Sequence, residues 1–413
     1  MKNFCAGGEG RTPIGTCTLA SSGYFSKGFY LSRYYRPELD GLRFFAFVCV
    51  FCFHRMDYVP LDPSRNPWLF KFSTAGAFGV PVFFLLSAFL ITELLMRERD
   101  ATGTVHVKAF YVRRILRIWP LYFAAFFGLA VLNHFLPGVG PATHSSWLAF
   151  SFFAGNWYIV RHGWIAGPVD PLWSISVEEQ FYIVIPLVIA FAGRRGLRIA
   201  SYLLLAVAYV VIVRYALHPT AGDNGEWTDS FVHFQFFCAG TLLALLLRGR
   251  LSRLPVLARL SGFVLGFGCW FLCLRLGVKS WEPHAGVAGS IAGWALMLLG
   301  AILFFLSTLG TAERYIPRAL AYLGRISYGL YIFQSLILYF VFEKGGAWLT
   351  KIVRTLHLPD GLRASIGTAV VLAATFVVAH LSFKFFERPF LRLKERFTFV
   401  RAREEEESQA ASV

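Results

Sequence analysis

The chain has 413 residues, a formal charge of +16, 56% hydrophobic side chains and only 15% charged ones. Soluble globular domains carry nearer a quarter charged residues, and here the deficit comes with many long uncharged runs, so an ordinary soluble enzyme is excluded. The positive charge belongs on cytoplasmic loops and against anionic lipid. No basic region stands apart from the apolar runs as a soluble domain, which excludes nucleic acid as a partner.

In chain order, residues 1–35 are rich in Gly and Ser and hold no apolar stretch long enough for a signal peptide. They are expected to be a disordered leader or the product of a misplaced start, with the first spanning helix acting as an uncleaved signal. Apolar runs suited to spanning follow near 42–59, 77–96, 118–136, 174–192, 197–216, 230–247, 257–276, 286–308, 322–342 and 364–385. A shorter run, 146–160, is ambiguous. Arg97, Arg99, Lys108, Arg113, Arg114 and Arg117 put 97–117 on the cytoplasmic side. If 146–160 crossed, Arg194, Arg195 and Arg198 would face outward and every later loop would invert. The expected fold is therefore all-α: a polytopic bundle of about ten transmembrane helices over 36–390, in the cell (inner) membrane with both termini cytoplasmic. Segment 146–160 is then re-entrant or interfacial, on the outer side, as Trp147, Trp157, Tyr158 and Trp164 suit. Residues 391–413 read as a charged cytoplasmic tail.

Four constellations remain once the spans are set aside. The first lies between Arg36 and His54. Arg43 and His54 are eleven residues apart, about three helical turns, so they share a face roughly 16 Å apart along the axis. An ionisable group that deep in a bilayer is either held by one hydrogen bond inside the bundle or is functional. Cys49 and Cys52 have metal-ligand spacing near His54, but thiols on a lipid-embedded helix behave as small apolar residues, and no metal is expected. The second constellation is the basic turn Phe110 to Pro120, where Arg114 and Arg117 point the same way. Guanidinium forks pair with phosphate oxygens, of a ligand or of lipid headgroups.

In the third, Leu172 to Pro186, two adjacent carboxylates open an apolar helix. Ser176 and Glu179 fit a capping box, which assigns Glu179 to the cap and leaves Glu178 facing the interior. The fourth is the polar face Ser327, Tyr331 and Gln334, at helical spacing; such residues on membrane helices are either packing contacts or site residues. Ser87 reads as a helix–helix hydrogen bond, because no nucleophile elbow surrounds it. Phe386 to Pro389 closes the last helix with a charge pair read as structural.

Taken in order, these elements resemble the membrane-bound acyltransferase-3 family, O-acyltransferases of polysaccharides, lipid-linked sugars and some macrolides. Arg43 to His54 resembles the family's arginine–ten residues–histidine signature, FYVRRILRIWPLY its R-x-x-R element, and LWSISVEEQFY its WSLSVEEQFY element. SYGLYIF and FFERP resemble its two closing motifs, so the likeness runs from about Pro37 to Pro389. Gln334 stands where many members have histidine, Pro81 where many have a polar or acidic residue, and Ala88 where glycine is usual. Gln334 cannot act as a base, which leaves proton transfer to His54.

The resemblance implies transfer of an acyl group, acetyl being expected, from cytoplasmic acyl-CoA to a hydroxyl of a saccharide or glycosylated small molecule. Arg114 and Arg117, with Arg113, would hold the cofactor phosphates. His54 would be general base or transient acyl carrier, and Arg43 would steady the cofactor or the thioester oxygen. Glu178 would orient the imidazole or receive the acceptor. Trp173, Glu179, Ser327, Tyr331 and Gln334 would contact substrate. Some members carry a further hydrolase-like domain, so a second step here would need a separate extracytoplasmic transferase. The competing reading is a proton-coupled transporter of a small solute or saccharide, since ten spans with a buried His and Glu also suit a carrier; no inverted repeat or pair of broken helices supports it. An inactive scaffold is a third reading, which intact Arg43, His54, Arg114 and Arg117 oppose.

Overall fold

The computed structural model describes residues 35–398 except 142, 166, 220–224, 251–253, 281–284 and 356–359. The expected leader up to residue 34 and the acidic end of the tail lie outside the described residues. Every regular element among the described residues is helical.

α1, Pro37–Tyr58, starts with Pro at its first turn, carries Glu38 and Asp40 there and Arg55 in its last turn. All of these suit the helix dipole. α2 is Pro67–Ala75 and α3 is Gly79–Thr102, joined by the tight turn Gly76–Phe78. A side chain at Gly76 or Gly79 would strike the α1 backbone at Cys49 or Ala46. These glycines therefore set how closely α3 approaches α1. α4 is Val107–Phe135, and α5 (His144–Ser151) and α6 (Gly155–His162) are two short helices, the first opened by a Thr143–Ser146 capping box. Neither is long enough to cross a bilayer.

α7, Trp173–Leu217, is two helices joined at Gly193, whose φ of 61° and ψ of −160° only glycine adopts easily. The break leaves carbonyls open, and Arg99 Nη1 donates to Ile189 O at 2.8 Å, satisfying one of them. Arg194 pairs with Asp100 beside it. α8 is Gly225–Thr228, α9 Ser230–Leu247, α10 Val256–Arg275 and α11 Gly286–Thr308. α10 and α11 pack through Gly262 and Gly266, which lie against Ser307 and Phe304; small residues let membrane helices approach closely.

α12, Arg318–Arg325, turns by 69° into α13, Ser327–Leu338, continued by a wide-turned stretch over Tyr339–Lys344. α14 is Gly346–Thr355, α15 is Asp360–Leu381, and α16, Arg388–Glu395, folds back along α4.

Among the described residues seven helices are long and apolar enough to cross a membrane, or eight if the bent α12–α13 pair is one span. The expected ten differs for two reasons. Its 174–192 and 197–216 are the two legs of α7, and α1 is too rich in charge to pass on composition. α3 forms the centre of the bundle, against α1, α7, α9 and α11. On α3, Phe83, Ser87 and Leu90 keep partial exposure among fully buried neighbours, and their spacing of four and three places them on one face. That stripe is the partly exposed face of α3.

Candidate active site

Charged side chains meet beside this face of α3, where Ser87 reaches Glu178. Arg114 and Arg117 project from α4, and the Arg114 guanidinium lies 5.4 Å from the ring centroids of both Phe110 and Tyr182. Its Nε is buried with no hydrogen-bond partner. Arg117 is in the field of Arg43, Asp40, Tyr182 and Glu387. Arg43 Nη1 donates to Asp40 Oδ1 at 2.6 Å. Glu178, on α7, accepts from Ser87 Oγ at 2.5 Å and from the Tyr182 hydroxyl, with Arg114 and Arg43 acting on it. Glu387 accepts from Ser382 Oγ at 3.0 Å and faces Arg117.

Among the described residues neither Arg114 nor Arg117 forms an ion pair within 4.0 Å. Half-buried guanidiniums without a close counter-ion are costly, and phosphate or carboxylate oxygens would relieve that cost. Arg113 differs: it binds Glu98 Oε2 at 3.0 Å and the Phe397 carbonyl at 2.7 Å. The protein itself therefore uses its donors, tying α16 to α4.

His54 sits at the other end of α1, half-buried, with Nδ1 3.6 Å from Asp57 Oδ2. The helix between Arg43 and His54 is unbroken, so they stand roughly 16 Å apart along its axis. Tyr58 stacks on Phe342 at 6.4 Å, with Asp57, Asp170, Tyr339 and Glu343 close by. Glu178 has Ser87, Tyr182, Arg114 and Arg43 as its neighbours. The acid beside His54 is Asp57, three residues on, which the sequence analysis passed over although one helical turn joins the pair.

The remaining candidates divide. Glu179 does not cap α7, which starts at Trp173 after a tight turn over Asp170–Leu172. Ser176 is thus already in the helix and leans toward the Leu172 carbonyl at 3.5 Å. Glu179 is buried and accepts from Trp119 Nε1 at 3.0 Å. Trp173 is buried and packs among Phe84, Trp164, Trp227 and His233. The Tyr331 hydroxyl pairs with Ser174 Oγ at 2.7 Å and donates to Pro171 O at 3.0 Å. Ser327 is buried, and Gln334 is buried with both amide atoms unpartnered.

Tyr182 and Asp40 were not singled out in the sequence, and Glu387, read there as half of a structural charge pair, instead faces Arg117 and Ser382. Tyr182 lies one turn after Glu178, a signal that was available; no local pattern joins Glu387 to Arg117. Among the described residues no group of three or more His, Cys, Asp or Glu could hold a metal ion.

A family model for an acyltransferase domain matches residues 36–381. The chain belongs to the acyltransferase-3 family. Arg43, His54, Arg114, Arg117 and Glu178 all fall inside the stretch that matches this family, whereas Glu387 lies beyond it. The peptidoglycan O-acetyltransferase OatA of Listeria monocytogenes is 26% identical over 385 residues, covering 87% of this chain and 56% of the relative. YrhL of Bacillus subtilis is 26% identical over 376 residues, 86% of this chain and 55% of the relative. SAS0844 of Staphylococcus aureus is 32% identical over 173 residues, 40% of this chain and 26% of the relative. The chain spans at most about half the length of these curated relatives. No solved structure matches.

Proposed function

We propose that the protein is an integral membrane O-acyltransferase that moves an acyl group, acetyl foremost, from acyl-CoA to a hydroxyl of a saccharide or glycosylated acceptor. The relative OatA is named for O-acetylation of peptidoglycan, which supports a saccharide acceptor. The observation that carries the reading is the pair Arg114 and Arg117, without close counter-ions, beside Arg43 and three turns from His54 on one rigid helix.

Coenzyme A has phosphates at one end and a thioester at the end of a flexible arm. The roughly 16 Å between Arg43 and His54 matches the reach of that arm. Arg114 and Arg117 hold the phosphates, and Arg43 completes the cationic end. Glu178, held by Ser87 and Tyr182, offsets part of this charge and keeps the guanidiniums apart. At the other end His54 takes the proton of the acceptor hydroxyl as it attacks the thioester carbonyl. The C–S bond breaks, the ester C–O bond forms, and the proton passes from the imidazole to the leaving thiolate. Asp57 supports the imidazolium formed on the way. The basic end faces the cytoplasm, where acyl-CoA is found, and the His54 end faces outward.

The test is acyl transfer from radiolabelled acetyl-CoA to a chitooligosaccharide acceptor in proteoliposomes. Wild type should label the acceptor, and His54→Ala should label none while inserting normally. Full transfer by His54→Ala, or saccharide uptake by wild type without labelling, would overturn the proposal.

A further inference from the structure

Gln334 lies between the two ends of the site. α1 and the α13 segment run side by side in the same direction. Gly324 abuts the Asp40 backbone at one end, and Tyr58 stacks on Phe342 at the other. Eighteen residue steps separate the two contacts on each stretch, so the two advance in step. In this register Arg43 is level with Ser327 and His54 with Leu338. Gln334 is then about 10 Å above the level of Arg43 and about 6 Å below that of His54.

Gln334 shares a face with Tyr331, three residues before it, and the Tyr331 ring meets Phe83 at 6.1 Å, on the partly exposed α3 stripe. Its side chain has no measurable exposure, and neither Oε1 nor Nε2 has a hydrogen-bond partner. A primary amide has two donors and one acceptor oxygen, and burying it with none of them used costs several kcal/mol by transfer estimates. Buried polar groups left in that state call for a partner outside the protein's own hydrogen bonds.

We infer that Gln334 binds the arm of the acyl donor, pairing with one of the two secondary amides of pantetheine. A primary amide can donate N–H to the carbonyl of a secondary amide or accept from its N–H, and because a trans amide carries these on opposite edges, one of the two bonds is made at a time. The pair would fix the arm partway along its course and set how far the thioester advances toward His54. Gln334 is on this view a donor-binding residue, not an acceptor contact. The inference rests on the proposed use of acyl-CoA.

The experiment is equilibrium binding of coenzyme A and of adenosine 3′,5′-bisphosphate, which lacks the arm, to the purified full chain in lipid nanodiscs. Wild type should bind coenzyme A more tightly than the bisphosphate. Gln334→Leu should weaken coenzyme A binding about tenfold and leave bisphosphate binding unchanged, with the milder Gln334→Asn in between. Equal coenzyme A affinity in wild type and both variants would overturn the inference, as would equal loss of the two ligands. The first of these results fits an amide satisfied by an ordered water only. Wild type that binds neither ligand would overturn the acyl-CoA reading as well, so the two failures are distinguishable.

Discussion

Arg113 and Arg114 are neighbours in the chain, but different partners would be left behind on truncation. Arg114 faces aromatic rings and no carboxylate within ion-pair range, so its fork is free for a ligand. Arg114→Ala is expected to raise the KM for the acyl donor about tenfold or more, the worth of a charge-assisted hydrogen bond, with the acceptor KM unchanged. Steady-state kinetics with each substrate varied in turn checks this. Arg113→Ala should instead leave both KM values unchanged and lower the thermal unfolding temperature, because Glu98 and the Phe397 carbonyl lose their donor. At the other end, Asp57→Asn removes the charge beside His54. It should lower kcat up to about fivefold, the upper end of what one partly exposed ion pair contributes, without moving either KM, and Asp57→Glu should recover part of the loss.

At the scale of elements, the site depends on α1 keeping its register against α3 and α13. That register is set by backbone contact at glycines. Gly324 lies against the Asp40 backbone and Gly76 against the Cys49 carbonyl, so an added side chain has no flexible neighbour to push aside. Gly324→Leu should separate α12 from α1 at Asp40, the partner of Arg43. The expected result is a destabilisation of about 1–3 kcal/mol, the usual range for overpacking, measured as a lower unfolding temperature in detergent. Activity per folded molecule should fall as well. The α1 pairing of Arg43 with His54 was legible in the sequence because helical periodicity is local. The capping role given to Glu179 was not sound, because a tight turn over Asp170–Leu172 starts α7 at Trp173, earlier than the S-x-x-E pattern suggested.

At the scale of the molecule, the basic end gathers Arg97, Arg99, Arg113 and Arg194 with the start of α1 and with α16. The opposite end carries the 59–66 loop and the two short helices α5 and α6. The proposed orientation predicts that a cysteine introduced at Ser64, in a variant whose native cysteines are replaced, reacts with a membrane-impermeant thiol reagent in intact cells. A cysteine at Thr102 should react only after the membrane is opened. The reverse pattern would put the acyl-donor end outside.

Composition and periodicity alone determined that this chain is a helical membrane protein, that Arg114 and Arg117 share a direction, and that Arg43 and His54 share a face. Each of these follows from one helix and its solvent. Only the tertiary structure decided which charges meet, because partners such as Ser87 and Glu178, or Arg117 and Glu387, are far apart in the chain and joined by packing. It gave Glu178 to the arginines, and it left the Gln334 amide buried without a partner of its own.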